Sequence, residues 1–81
     1  MFDYLVLIEY SRGMNHHIWS AREIAKTVVA NDCAANTRVY RLMRNRDPQP
    51  MYISYDRKSK YFEICDRHGN LIEGVSLDAR A

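Results

Sequence analysis

Little in this chain points to catalysis or to an oxidising compartment. Its 81 residues include two cysteines, three glycines and two prolines. Cys33 and Cys65 stand apart, outside any C-x-x-C pair, so no disulfide framework is expected and the protein is read as cytoplasmic, with reduced thiols. Three scattered glycines cannot build a phosphate-cradling loop. Carboxylates are spread singly, and nothing identifies a base and an orienting partner for Cys33 as a nucleophile. No enzymatic activity, catalytic residue or cofactor is expected. The apolar run Tyr4–Ile8 covers five residues, too few for a membrane span or a signal-peptide core. No membrane association follows.

What remains is the composition of one folded domain spanning residues 1–81. An apolar share of 47% and a charged share of 27% belong to a globular chain rather than a disordered tail. A core this small gains from burying further surface in a homodimer. The formal charge is only +2, but it is unevenly placed. Between Arg38 and Lys60 seven bases face Asp47 and Asp56, a net of +5, which leaves −3 for the other residues. Such asymmetry fits an anion-binding face, although a basic cluster is more often simply solvated.

The pattern along the chain predicts helices first and strands afterwards. Phe2, Leu5, Val6 and Ile8 trace one side of a helix over Phe2–Tyr10, with Arg12-Gly13 as its stop. The dense run equally suits a buried strand. Met14–Ile18 reads as a polar connection. Ser20 and Glu23 then form a capping box, and Trp19 with Ile24 has the spacing of a hydrophobic staple, so a second helix starts at Ser20. Ile24, Ala25 and Val28 supply its inward stripe. Asn31-Asp32 breaks it, with Asp32 placed to cap a third helix over residues 33–46. There Ala35, Val39, Leu42 and Met43 share a side, and Asp47-Pro48 stops the element. From Met51 the period changes to two, predicting a hairpin over about 51–66 with its tip at Arg57-Lys58-Ser59-Lys60. Arg67-His68-Gly69-Asn70 reads as a turn, Leu71–Leu77 as a third strand, and Asp78–Ala81 as a frayed end.

Ala21-Arg22-Glu23-Ile24-Ala25 followed by Thr37-Arg38-Val39-Tyr40-Arg41-Leu42 resembles the helix-turn-helix of small bacterial and phage transcription regulators. The resemblance covers roughly residues 19 to 66. It implies an α+β winged helix-turn-helix, with a helical N-terminal part (helix-turn-helix about 20–46) and an antiparallel β-hairpin wing of two or three strands. In one respect the chain departs from the pattern. Ala25 and Val39 lie fourteen residues apart, about one helical turn more than the compact motif allows, and no glycine marks the turn.

The implied function is sequence-specific binding of duplex DNA by a dimeric transcriptional regulator. Helix 33–46 would enter the major groove, with Asn36 suited to adenine and Arg38 or Arg41 to guanine. Thr37 suits a phosphate or a thymine methyl, and Tyr40, Arg44 and Arg46 suit backbone phosphates. Arg57, Lys58 and Lys60 at the wing tip would reach a flanking phosphate or the minor groove, although lysine at a hairpin also protects sheet edges.

Two other chemistries can be read. His16, His17, Cys33, Cys65 and His68 include metal-ligand types, but they are too scattered for a zinc module, and no metal is expected. Tyr52, Tyr55 and Tyr61 beside the bases could stack unpaired bases, or simply pack across strands. The main alternative is a protein-binding module, or a phage-type inhibitor of a host protein complex, that binds no DNA. The N-terminus discriminates. A helix over Phe2–Tyr10 favours the regulator; a strand there gives the order β-α-α-β-β-β and favours the interaction protein.

Overall fold

A computed structural model describes residues 2–77, and the expected fraying at 78–81 lies outside them. The chain runs β1 (Asp3–Tyr10), β2 (Gly13–Ser20), α1 (Ala21–Asn31), a short 3₁₀ turn (Ala34–Asn36), β3 (Thr37–Arg41), β4 (Gln49–Asp56), β5 (Tyr61–Cys65) and β6 (Leu71–Ser76). The strands form one antiparallel sheet in the order β2-β1-β3-β4-β5-β6, with α1 packed on one side. This overturns the winged helix-turn-helix. Sheet dominates, and a single α-helix is present among the described residues.

Two of the three expected helices are strands or loops. Phe2–Tyr10 contains β1 because its apolar residues occupy both parities of a strand. Tyr4, Val6 and Ile8 are buried on the α1 side, while Leu5 and Leu7 are half-buried on the other. Arg12-Gly13 closes a hairpin instead of ending a helix, with Gly13 at φ +143° where a side chain would be strained. The expected connection Met14–Ile18 lies within β2, paired residue for residue with β1.

The recognition helix 33–46 is absent. Thr37–Arg41 is a strand in which Val39 is buried between Val6 and Met51, and Leu42–Pro48 is a loop. Helical spacing from Ala35 to Val39 is indistinguishable from one buried β-branched residue in a short strand, and the sheet's central gap decides for the strand. The extra spacing between Ala25 and Val39 is therefore no added helical turn; it accommodates the 3₁₀ turn and the entry into β3.

The helix start at Ser20 is as expected. Ser20 accepts a hydrogen bond from the Glu23 backbone N–H, and the Glu23 carboxylate accepts one from the Ser20 N–H at 3.1 Å. Asp32 has a different role from the expected one. In the left-handed region at φ 49°, it ends α1 with its N–H on the Val28 carbonyl rather than starting another helix. The hairpin expected at 51–66 is β4 and β5, and the strand expected at 71–77 contains β6.

Ile24, Ala25 and Val28 on α1 meet Tyr4, Val6, Ile8, Val39, Met51, Phe62, Ile64 and Val75 in one core. The sheet curls around this helix. The Tyr4 hydroxyl on β1 donates to the Glu73 carboxylate on β6 at 2.8 Å, although three strands lie between. A flat sheet would hold those strands about 19 Å apart. Glu73 also accepts from the Phe2 N–H at 3.2 Å, so one carboxylate fastens the chain start to the last strand.

Candidate interaction surface

The strand alternation gives the sheet an inner face, filled by α1, and an outer face that no element covers among the described residues. Across β2, β1, β3 and β4 the register aligns Ile18, Leu5, Tyr40 and Pro50 in one row of the outer face. The adjoining row aligns His16, Leu7 and Arg38. Ile18 is 65% exposed, Met14 52% and Tyr52 60%. In an antiparallel sheet with one wet face, that face is ordinarily polar. Here β1 presents Leu5 and Leu7 between Asp3 and Glu9, and β2 presents Met14, His16 and Ile18. Tyr61 extends the surface onto β5, where its ring lies over Gly74; a Cβ at that position would meet the tyrosine side chain.

The residues expected to contact DNA do not share a surface. Arg38 and Tyr40 lie on the outer face, opposite Leu7 and Leu5. Thr37 instead donates its hydroxyl to the Cys33 carbonyl at 2.7 Å, and the Asn36 amide to the Glu9 carbonyl at 3.4 Å, so both serve the 3₁₀ turn. Arg41 points inward at the margin of the core, with its guanidinium 4.0 Å from the centre of the Phe2 ring. Its Nε is buried without a hydrogen-bond partner among the described residues. Arg44 and Arg46 belong to the β3–β4 loop, at the sheet end where α1 begins. Arg57, Lys58 and Lys60 occupy the β4–β5 turn at the opposite end, where Arg57 approaches Asp32 at 4.0 Å, both side chains largely in water. The basic segment is contiguous in sequence and divided in space.

The other candidate groups are separated too. His17 stacks on Trp19 on the inner side, with ring centres 4.2 Å apart, whereas His16 lies on the outer side. Cys33 follows α1 and Cys65 ends β5. Among the described residues no group of three or more His, Cys, Asp or Glu could hold a metal ion. Burial foremost, then the Glu63 and Asp66 charges, pushes the Cys65 thiol up, which disfavours a reactive thiolate. Of the three tyrosines beside the basic turn, Tyr52 and Tyr61 face outward, while Tyr55 is half-buried and packs against the core. No helix among the described residues is long and apolar enough to cross a membrane.

Leu5, Leu7, Met14 and Ile18, which face outward, are not among the contact residues expected from the sequence. The signal was present in Tyr4–Ile8, where apolar residues fill both strand parities, the mark of a strand with two covered faces. Comparison with protein-family models, with curated proteins and with solved structures finds no match.

Proposed function

We propose that this chain is a protein-binding module that docks a partner on the outer face of its sheet. One observation carries the reading: β1 is apolar on both sides, and α1 covers only one of them. Exposed Ile18 and Tyr52, with half-buried Leu5, Leu7 and Tyr40 between them, form an apolar surface of the kind that protein interfaces use, with tyrosines and a central arginine, Arg38. The N-terminal strand supports this reading over the transcriptional regulator, whose recognition helix has no counterpart. Support for duplex DNA is reduced to Arg38 on the outer face and to surface charge at the two ends of the sheet.

The test is site-specific photocrosslinking in cell extract. A photoreactive residue at Tyr52 should capture a defined protein that the same residue at Lys26, on the exposed side of α1, does not. Tyr52→Asp or Tyr40→Asp should abolish that capture while leaving the circular dichroism unchanged. Equal capture from both positions would defeat the proposal. So would salt-sensitive duplex-DNA binding that disappears when Arg57, Lys58 and Lys60 are replaced and persists in Tyr52→Asp.

A further inference from the structure

The sheet has two edges, and they are built differently. β6 carries Glu73 and Gly74 and departs from regular register beside Ile64 and Cys65. Irregularity and charge are the usual protections of an edge strand. β2 has none of them. All eight of its residues pair in unbroken register with β1, and Gly13–Ser20 contains no lysine, arginine, carboxylate or proline. Among the described strands it is the only one that ends the sheet without such protection.

In an antiparallel ladder every second residue turns its backbone N–H and C=O away from its partner. Counted from the Tyr10–Gly13 pair beside the turn, those residues of β2 are Met14, His16 and Ile18. All three side chains are exposed on the outer face.

We propose that β2 pairs antiparallel with β2 of a second copy, about a twofold axis through His16, joining two sheets into one. The register follows from which groups are open. Residues with outward backbone groups must face one another, so Met14 lies opposite Ile18 of the partner copy and His16 opposite itself. Each copy then covers the other's exposed methionine and isoleucine, and no like formal charges meet along the strand.

The ends add charge complementarity, which favours a second copy over an unrelated strand. The same register sets Arg12, exposed in the β1–β2 turn, opposite Ser20 of the partner copy. The Glu23 carboxylate sits 3.1 Å from the Ser20 N–H, so an acid waits at that position, with Arg22 also in the same helical turn. By symmetry the contact is made twice.

Sedimentation of the full chain over a concentration series tests this. The wild type should dimerise, with unchanged secondary structure. Ile18→Lys should shift the equilibrium to monomer, and Arg12→Glu should raise the dissociation constant about tenfold, in line with a lost close charge pair. His16→Pro removes an N–H that points away from β1; it should stay folded and monomeric, whereas His17→Pro should unfold by breaking the β1 ladder. Tyr52→Asp, on the far side of the outer face, should leave the dimer intact, which separates this proposal from partner docking. A wild type monomeric at about 0.5 mM, a dissociation constant too weak for a specific dimer, would overturn it. A dimer that survives both Ile18→Lys and His16→Pro would do the same.

Discussion

The central strand β1 puts apolar residues on both faces of this sheet, and its two rows have different fates. On the inner side Tyr4, Val6 and Ile8 are excluded from water by α1; on the outer side Leu5 and Leu7 from the same strand are only half-buried, with no element packed over them among the described residues. Burial, not hydropathy, separates them. The inner face is where stability is made, and the outer face holds apolar surface whose transfer from water is still available to a partner.

That contrast can be broken most directly with two isoleucines. Ile24 on α1 is fully buried, and Ile18 on β2 is largely exposed. Ile24→Ala should destabilise the fold by about 2–5 kcal/mol, the cost of lost burial plus a cavity. Ile18→Ala should stay within about 0.5 kcal/mol when measured on the monomer. Urea unfolding of both variants checks this, and comparable losses would mean that the outer face is part of the core after all.

A smaller effect tests how the inner face is closed. The Tyr4 hydroxyl reaches Glu73 across the concave side, and burial, followed by the hydrogen bond and charge of Glu73, raises the phenol above its ordinary range. Tyr4 is thus a neutral donor to the carboxylate. Tyr4→Phe should cost about 1.5–3 kcal/mol, because the bond it removes is to a charged group, although Phe2 N–H still donates to Glu73. Amide exchange should rise in β6 before β2, since only β6 is held by that carboxylate. Equal acceleration in both strands would show that the contact does not fasten the curl.

The parts of this fold legible in the sequence are those decided by neighbouring residues. Ser20 and Glu23 announce the helix start, and the alternation after Met51 announces β4 and β5. The misread parts are those decided at a distance. Val39 fits a helical stripe with Ala35, but its neighbours in space are Val6 and Met51, which no local period reveals. Likewise Phe2–Tyr10 satisfies both templates until β2 and β3 flank it. Sequence proximity groups the basic residues, but β3, the β3–β4 loop and the β4–β5 turn hold them apart. The outer face lay in plain sight in Tyr4–Ile8, but its meaning depended on knowing that only one side is covered.

The smallest expected effect belongs to neither face but to the turns that join them. Asp56 and Asp66 are both held below the usual aspartate range. For Asp56 the Lys58 backbone N–H is the main cause, ahead of the Ser59 hydroxyl; for Asp66 the Asn70 backbone N–H leads, ahead of that of His68. A carboxyl depressed in the folded state contributes stability above its unfolded value, and that contribution is lost as pH falls through the folded one. The loss should therefore begin near about pH 4, where a free aspartate protonates, and continue below it. Both groups are in water, so the change should be slight beside that of Ile24→Ala. Asp66→Asn keeps an acceptor for the turn and removes the titration. Its urea midpoint should match that of the wild type more closely at about pH 3 than at about pH 7, because protonation brings the wild-type carboxyl to a similar neutral state. A gap that widens in acid would place the acid sensitivity outside these two turns.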